Sequence, residues 1–431
     1  MAYKCQIIGV LDNGLEGLSF AALNALQNAE VVIAATRVLT LFADSISAAE
    51  CKDLSGNLAK VPEWINSALT RKKSVVVLAT GDPLCHGIAS FLTKKLGAEQ
   101  LEILPNVSSV QLAFASIGMA WQDAKICSVH NKDAGEWQTG FGREHGFYNL
   151  LQAINQHDKL AILTSPENDP SRIAHMLVME NMADLFSMVV AENLLCTDEK
   201  IFQDISIAEL AGQIFSGNDV VILCRLQAKQ PELLFGYADH AFKQRKPDKG
   251  LITKREVRAV SLARMQLTAE SITWDIGAGS GSVGIEAAKL CTKGHVYAVE
   301  KNVADFAIAS ENARDFALHN YTIIENKAPR GMEYWPAPDA IFIGGSGGEL
   351  AELIALSLER LQANGCLVMN FVTLGNLTTA LEILKQSSAS WDITQLQASR
   401  SQPILHMHRM RAENPVWVVC AQKTIHNGVN T

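Results

Sequence analysis

Short apolar runs alternate with segments of helical periodicity along most of this chain. In the first half the apolar runs predict seven strands, and the connections between them are long enough to hold helices. These strands span residues 5–10, 31–35, 75–79, 101–104, 160–164, 186–191 and 220–224. The alternation predicts an α/β domain built on a largely parallel sheet.

A second series of the same kind begins near residue 251. Helices are predicted at residues 254–265, 283–290, 303–317, 348–361 and 374–386, and strands at 272–276, 296–299, 322–325, 340–343 and 366–370. Two late runs, 391–397 and 416–421, are typical of antiparallel strands. The polar, proline-containing segment 228–250 predicts a linker together with an ordered entry loop. Because 431 residues are too many for one ordinary core, we expect two α/β domains, 1–228 and 229–431.

The most informative motif is a glycine turn between a strand and a helix, with the sequence ITWDIGAGSGS at residues 272–282. The run VYAVE follows at 296–300, about 20 residues on, which is the spacing of a nucleotide-binding βαβ unit. Glycines allow a ligand to approach the backbone, and Glu300 at a strand end can accept hydrogen bonds from ribose hydroxyls. A purely structural turn would carry the same glycines. Asp275 has two interpretations: it orients the loop or meets a ligand's ammonium group, or it caps the following helix.

Further motifs occur in a fixed order in both halves. In the second half they are TKREVR at 253–258, WDIGAGSGS at 274–282, YAVEK at 297–301, KAP at 327–329, PDAIFIGGS at 338–346 and NPV at 414–416. In the first half they are TGDP at 80–83, PNVSSVQ at 105–111, WQDA at 121–124, SVH at 128–130 and TSPENDP at 164–170. In these motifs the chain resembles the bifunctional precorrin-6Y C5,15-methyltransferases (decarboxylating) of cobalamin biosynthesis.

The resemblance implies a tetrapyrrole-methylase-type α/β domain followed by a Rossmann-like methyltransferase domain, each with its own S-adenosylmethionine site. It implies methylation of precorrin-6Y at C5 and C15, with loss of the ring C acetate carboxyl group as carbon dioxide, to give precorrin-8. The cofactor contacts expected in the second domain are Thr253, Asp275, Gly277, Ala278, Gly279, Ser280, Gly281, Glu300 and Ala328. No side chain identifies a general acid or base.

In the first domain, the Gly-Asp-Pro loop and the segment after residue 104 are the matching cofactor loops. A lone Gly-Asp-Pro triplet is often only a β-turn, and its pairing with residues 105–109 favours the functional interpretation. The contacts implied there are Asp12, Gly81, Asp82, Cys85, Ser108 and Ser109. Leu11 stands where a second glycine is common in the family.

Candidate substrate contacts follow from position and charge. Gly344, Gly345 and Ser346 come after a predicted strand, where open α/β sheets bind ligands, although such a turn also serves as a linker. Arginine binds carboxylates through two parallel hydrogen bonds, so basic clusters are candidate cradles for a polycarboxylate ring, although most single charges are only solvated. The clusters are Lys243, Arg245, Lys246, Lys249, Lys254, Arg255, Arg258 and Arg264, and Arg400, His406, His408, Arg409 and Arg411. His130 is a further candidate, or a packed surface histidine.

Composition narrows the class of protein. The net charge of −8 argues against general nucleic-acid binding, and no apolar run approaches the ~20 residues of a membrane span. The first residues lack the pattern of a signal peptide, and nine cysteines show no zinc-site spacing, so we expect a reduced, cytoplasmic protein without a metal. A homo-oligomer, dimer or tetramer, is expected, and neighbouring pathway enzymes are candidate partners. Two other function classes stay open: an NAD(P)-dependent oxidoreductase and a non-catalytic tetrapyrrole carrier.

Overall fold

The computed structural model describes residues 4–130, 132–217, 219–227, 233–245 and 252–423. The chain divides into two compact units, Met1–Lys229 and Gln230–Thr431. Of the segment expected to be a linker, residues 233–245 are described, while Lys246 and Lys249 of the first basic cluster lie outside the described residues.

Unit 1 begins with a five-stranded parallel sheet in the order β3-β2-β4-β1-β5. Its strands are β1 (Cys5–Val10), β2 (Val31–Ala34), β3 (Glu50–Asp53), β4 (Val75–Thr80) and β5 (Leu101–Leu104). The connecting helices are α1 (Phe20–Gln27), α2 (Thr36–Leu41), α3 (Val61–Thr70) and α4 (Ile88–Leu96). The central strands are almost entirely buried because helices cover both faces, which explains their continuous apolar runs. The sequence pattern missed β3, an edge strand with mainly exposed side chains.

A second sheet in unit 1 has the order β6-β7-β10-β8-β9. Its strands are β6 (Lys125–Ser128), β7 (Lys159–Leu163), β8 (Phe186–Glu192), β9 (Lys200–Phe202) and β10 (Asp219–Arg225), with helices α5 (Ser109–Ser116), α6 (Tyr148–Gln156), α7 (Pro170–Met179) and α8 (Ile207–Leu210). Only β6 and β7 pair in parallel. The expectation of a largely parallel sheet is therefore wrong for this part. Residues 193–199 between β8 and β9 are too few for the crossover helix that parallel pairing needs.

Unit 2 is a seven-stranded sheet in the order β13-β12-β11-β14-β15-β19-β16, flanked by helices. The strands are β11 (Ile272–Ile276), β12 (His295–Glu300), β13 (Tyr321–Glu325), β14 (Ala340–Ile343), β15 (Cys366–Phe371), β16 (Ser390–Leu396) and β19 (Val416–Gln422). The helices are α9 (Arg255–Arg264), α10 (Ser282–Leu290), α11 (Val303–Asp315), α12 (Leu350–Arg360) and α13 (Leu374–Gln386). Five strands are parallel, and β19 and β16 add antiparallel pairs at one edge, which confirms the predicted Rossmann-like sheet with a late antiparallel edge.

Two strands of unit 2 form a separate hairpin that the sequence pattern missed. β17 (Ser399–Ile404) pairs antiparallel with β18 (Met407–Ala412). All six residues of β18 are exposed, so it lacks the apolar face that makes a strand visible in a sequence.

A buried ion pair fixes the start of unit 2 to its sheet. Arg258 on α9 and Glu286 on α10 both have fully buried side chains, and their Nε and Oε1 atoms are 2.8 Å apart. The Glu286 carboxylate also accepts hydrogen bonds from the backbone N–H groups of Gly236 (2.8 Å) and Tyr237 (3.0 Å). The Arg258 guanidinium donates in turn to the carbonyl of Thr253 (2.7 Å). Residues 236–237 and 253 are therefore held by one pair of opposite charges.

Replacing Glu286 with glutamine should lower the free energy of unfolding by about 3–5 kcal/mol, because the buried Arg258 would lose its nearest charge partner and keep only Asp239, at 3.5 Å. Urea denaturation followed by circular dichroism measures this change in the unit 2 transition. Glu311→Gln is the matched control, since Glu311 pairs with Lys243 at the surface and a surface pair contributes about 0–1 kcal/mol. Equal losses in the two variants would contradict the assignment.

Candidate functional site

The described part of unit 2 contains a cavity of about 530 Å³ at the carboxyl ends of its parallel strands. Its walls come from the glycine turn after β11, from Glu300 at the end of β12 and from the loop 344–347 after β14. β11 is the central strand of the parallel part of the sheet. The chain continues from β11 to β12 and β13 on one side, and β14 and β15 lie on the other side, so the strand order reverses at β11. Open α/β sheets bind ligands at such a switch point, and the volume is within the range of small-molecule sites.

The floor of the cavity depends on two glycine backbones in close contact. Gly277 has a φ of +72°, and Gly279 and Gly281 also have positive φ. A Cβ atom on Gly277 would lie 2.3 Å from the carbonyl oxygen of Gly345. Any side chain at Gly277 would therefore clash with the loop after β14, in addition to straining its own backbone. Glycine is required here by tertiary contact as well as by the turn.

Glu300 supplies a carboxylate at the cavity wall. One carboxylate oxygen accepts a hydrogen bond from the N–H of Gly279 (2.9 Å) and the other from the N–H of Asn302 (2.8 Å). These bonds fix its orientation, and each oxygen has further acceptor capacity. The residue is only 8% exposed, which limits competition from water. This arrangement fits a ligand with adjacent ribose hydroxyls.

The residues expected to contact the cofactor fall into two groups. Those that line the cavity are Thr253, Gly277, Ala278, Gly279, Glu300 and Ala328, and the expected substrate contacts Gly344, Gly345 and Ser346 line it as well. Asp275, Ser280 and Gly281 are not among the lining residues, and the side chains of Asp275 and Ser280 are buried. This second group supports the turn from beneath.

Asp275 is buried directly under the turn. Its Oδ2 atom accepts a hydrogen bond from the N–H of Gly284 (3.0 Å), while Oδ1 has no partner among the described residues. A Cβ atom on Gly284 would lie 2.5 Å from that carboxylate and 2.8 Å from the ring of Tyr321. Because burial disfavours the charged form, the pKa of the Asp275 carboxyl is raised to about 7.

Asp275 should make stability depend on pH. Its folded pKa of about 7 exceeds the unfolded value of about 3.9, so the folded state binds the proton more tightly. The resulting stability is complete below about pH 4 and is lost as the pH rises toward 7. Melting temperatures measured from about pH 5 to about pH 8 should fall more steeply for the unaltered chain than for Asp275→Asn, which cannot ionise. Parallel curves would contradict this prediction.

Three cations at the cavity were not singled out from the sequence as a set. Lys254, Lys301 and Lys327 line it together with an apolar wall that includes Phe342 and Val416. The three lysines occur within the ordered motifs, so position within a motif was the available signal. An apolar wall and several cations suit a flat, conjugated ring that carries carboxylates.

Most described members of the first basic cluster form ion pairs with carboxylates of unit 2, whereas most of the second cluster is exposed. Lys243 pairs with Glu311 and Asp315, Arg245 with Asp305, Arg258 with Glu286 and Arg264 with Asp392. Of the first cluster, only Lys254 lines the cavity among the described residues. In the second cluster Arg400 donates to Asp239 (2.6 Å) and Glu256 (3.2 Å), while His406, His408, Arg409 and Arg411 are exposed on the hairpin.

In unit 1, three loops meet at the carboxyl edge of the parallel sheet, after β1, β4 and β5. A Cβ atom on Gly9, within β1, would lie 2.3 Å from the carbonyl oxygen of Gly81. The Asn106 amide donates to the carbonyls of Gly9 (3.0 Å) and Gly17 (2.8 Å), which joins the first and third loops. Asn106 lies within the expected cofactor segment 105–109, but neither Asn106 nor Gly9 was among the expected contacts. At this edge, as at Gly277 in unit 2, two backbone segments are in close contact at a glycine.

The residues expected at the first cofactor site have the following places. Gly81 has a φ of +70°, and the Asp82 carboxylate accepts from the N–H of Leu84 (2.9 Å) within the loop after β4. Ser108 caps α5 through the N–H of Gln111 (3.2 Å). Cys85 lies in the Gly-Asp-Pro loop, and burial raises the pKa of its thiol. Ser109 is the first residue of α5, and Asp12 forms an ion pair with Arg37.

His130 lies just beyond β6 of the second sheet, where its Nδ1 is 3.0 Å from the carbonyl oxygen of Thr164.

Two further properties of the described residues bear on the class of site. None of their helices combines the length and the apolar character that crossing a membrane requires. No group of three or more His, Cys, Asp or Glu side chains among them is placed to hold a metal ion.

Comparison with known proteins identifies the class and then the family. A family described as tetrapyrrole (corrin/porphyrin) methylases matches residues 4–211, and a precorrin methyltransferase domain matches residues 244–423. The protein is therefore a tetrapyrrole methyltransferase, a class that uses S-adenosylmethionine as methyl donor. A Sinorhizobium precorrin-6Y C(5,15)-methyltransferase (decarboxylating) is 31% identical over 373 residues, 85% of this chain and 84% of its own. The chain belongs to the precorrin-6Y C(5,15)-methyltransferase (decarboxylating) family.

Other relatives match one half of the chain. A cobalt-precorrin-6B C(15)-methyltransferase (decarboxylating) of Salmonella typhimurium is 40% identical over 173 residues, 40% of this chain and 89% of its own. A crystal structure of a precorrin-6Y C5,15-methyltransferase from Geobacter metallireducens is 37% identical and covers 44% of this chain and 100% of its own, with a TM-score of 0.43. The family expected from the motifs is confirmed, and the oxidoreductase and carrier alternatives receive no support.

Replacing Glu300 with glutamine should weaken donor binding in unit 2 by about tenfold or more. A hydrogen bond to a charged acceptor contributes about 1.5–3 kcal/mol against about 0.5–1.5 kcal/mol for a neutral one. Calorimetry with S-adenosylhomocysteine measures the dissociation constant. The matched control is Glu325→Gln, since Glu325 is the exposed register partner of Glu300 on β13 and does not line the cavity. Unchanged affinity in Glu300→Gln would remove Glu300 from the site.

Proposed function

We propose that this chain methylates precorrin-6Y at C5 and C15 and removes the ring C acetate carboxyl group as carbon dioxide, giving precorrin-8. The observation that carries the proposal is the glycine-floored cavity of unit 2, with a fixed carboxylate on one wall and cations beside an apolar surface. A nucleoside-bearing methyl donor fits the wall that carries the Glu300 carboxylate. A polycarboxylate ring fits the side of the cavity that carries the cations and the apolar surface.

The residues of unit 2 act mainly by positioning. S-adenosylmethionine supplies an activated methyl group, and a carbon of a reduced tetrapyrrole is electron-rich enough to accept it. The carboxylate of Glu300 holds the ribose hydroxyls, while the backbones of Gly277 and Gly279 allow close approach. Phe342 and Val416 exclude water from the reacting faces. Holding two reactants in line lowers the barrier by about 7–11 kcal/mol. The conjugated ring takes up the electron pair of the carbon–carbon bond that breaks when carbon dioxide leaves.

The substrate's carboxylates meet positive charge at the cavity rim. Lys254, Lys301 and Lys327 line the cavity. The β17–β18 hairpin starts beside Ala398 and ends beside Glu413, which also line it. Arg400 and Arg411 are cross-strand partners, and Arg400 reaches the cavity residue Glu256 from that face. Arg411 and Arg409, two positions apart on β18, share the face and extend the positive rim.

The two activities are assigned to the two halves of the chain. Residues 1–228 form the C5-methyltransferase domain, and residues 229–431 form the decarboxylating C15-methyltransferase domain. In the first, the donor binds at Gly81, Asp82, Cys85, Ser108 and Ser109, and His130 contacts the substrate. In the second, Gly344, Gly345 and Ser346 approach the substrate across the cavity from Glu300. The protein acts in the cytoplasm as a homo-oligomer and hands its product to neighbouring pathway enzymes.

Mass spectrometry of the products tests the assignment. Gly9→Ala and Gly277→Ala each place a Cβ atom 2.3 Å from a backbone oxygen of the facing loop, so each should inactivate one site. With precorrin-6Y and donor, Gly277→Ala should yield a ring with one new methyl group and all its carboxyl groups. Gly9→Ala should yield a singly methylated ring that has lost one carboxyl group.

Gly375→Ala is the control, because a Cβ atom there meets nothing within 4 Å among the described residues. It should give the doubly methylated, decarboxylated product of the unaltered chain. Decarboxylation by Gly277→Ala, or no methyl transfer by the unaltered chain, would refute the proposal.

A further inference from the structure

Arg37 occupies a position at the first candidate site to which the motifs assign no role. It is the second residue of α2, just beyond the carboxyl end of β2. Its guanidinium forms an ion pair with Asp12, in the loop after β1, and its second terminal nitrogen is 3.5 Å from the hydroxyl of Thr80. Thr80 is the last residue of β4 and directly precedes Gly81. Arg37 therefore joins the ends of three neighbouring parallel strands.

The start of α2 holds the Arg37 backbone in place. The Thr36 hydroxyl donates to the Asp53 carboxylate (2.7 Å), and the Thr36 N–H donates to the hydroxyl of Ser55 (3.2 Å). Asp53 accepts in turn from the N–H of Ser55 (2.9 Å). Asp53 is thus committed to its own loop. The guanidinium itself has room to move, since 47% of the Arg37 side chain is exposed.

The loop 193–199 of the second sheet lies close enough to the Asp12–Arg37 pair for both charges to act on Cys196. Burial raises the pKa of the Cys196 thiol in that loop, and the charges of Asp12 and Asp198 raise it further while Arg37 opposes them. The other carboxylates of this loop have partners of their own: Asp198 accepts from the amide of Asn193 (2.8 Å) and Glu199 from the N–H of Leu195 (2.6 Å). Asp12 is the carboxylate that engages Arg37.

This arrangement allows Arg37 to exchange carboxylate partners at little cost. A surface ion pair contributes about 0–1 kcal/mol. Because 47% of the Arg37 side chain and 18% of the Asp12 side chain are exposed, releasing Asp12 requires little free energy. A guanidinium has five N–H donors in a planar fork that matches a carboxylate bidentately. The hydrogen bonds to Asp12 and Thr80 leave donors available for an incoming group.

We propose that Arg37 binds a carboxylate of the tetrapyrrole substrate at the first site, and that Asp12 is its partner until the substrate replaces it. The inference rests on the proposed function, because it takes the ligand to be a polycarboxylate tetrapyrrole. It also gives Asp12 a role in substrate exchange rather than in holding the donor.

The alternative is an ion pair that only stabilises the loops. In that case Arg37→Gln and Asp12→Asn should change the KM for the tetrapyrrole and the melting temperature to a similar extent, because either substitution breaks the same ion pair. Under the proposal the two variants have opposite consequences for substrate. Arg37→Gln removes the carboxylate-binding group, whereas Asp12→Asn frees it from its competitor.

The test uses the full chain and measures KM and kcat for C5 methylation, with donor affinity from calorimetry and the melting temperature. Arg37→Gln should raise the KM for the tetrapyrrole at least tenfold while the donor Kd changes less than twofold. Arg37→Lys should fall between, because lysine keeps the charge without the bidentate fork. Asp12→Asn should leave the tetrapyrrole KM unchanged or lower it. Arg71→Gln, an exposed arginine at the end of α3, is the control and should match the unaltered chain.

Equal increases in KM for Arg37→Gln and Asp12→Asn, or an unchanged KM in Arg37→Gln, would overturn the proposal. A weaker donor Kd in Asp12→Asn would also overturn it, since Asp12 would then hold the donor. Fluorescence titration with uroporphyrin, a polycarboxylated porphyrin, separates this inference from the proposed function because it needs no methyl transfer. Arg37→Gln should lose affinity or one equivalent of bound porphyrin even if the unaltered chain shows no C5 methylation, and unaltered binding would refute the role of Arg37.

Discussion

Direct contact between backbones at the carboxyl ends of parallel strands is the constraint on which both candidate sites depend. In unit 2 the turn at Gly277 touches the loop at Gly345, and in unit 1 the end of β1 at Gly9 touches Gly81. A Cβ atom at either position would force neighbouring strands apart or displace a loop. The glycines therefore determine how closely the loops at the sheet edge can pack, and this packing determines the shape of the surface available to a ligand.

Charges are fixed around this edge by networks that differ in burial. In unit 2 the fully buried Arg258–Glu286 pair positions the carbonyl of Thr253 at the cavity, and backbone N–H groups orient Glu300. In unit 1 the Asp12–Arg37 pair is partly exposed. A buried pair is costly to break and suits a permanent wall, whereas an exposed pair is inexpensive to exchange and suits a contact that changes on binding.

The sequence predicted the sheet of unit 2 closely, because its buried strands are continuous apolar runs and its helices carry a helical period. It failed where those signals are weak. β3 and β18 present mainly exposed side chains, and β8 pairs antiparallel with β9 because their connection is too short for a crossover helix, which hydrophobic periodicity does not describe. Among the site residues, the glycine turn and Glu300 followed from spacing. Gly9, Asn106, Lys301 and Arg37 did not, because each gains its place from a loop distant in the chain.

The sequence by itself determined the family, the order of the two halves, the glycine turn after β11 and most strands of the sheets. These properties are local, since a motif or an apolar period is complete within a few tens of residues. Only the tertiary structure decided which charges are free. It committed most of the first basic cluster to internal ion pairs, buried Asp275 beneath the turn and brought Arg37 to Asp12. Ion pairing and burial depend on distances between segments that lie far apart along the chain. The hydrophobic periodicity of the sequence contains no information about those distances.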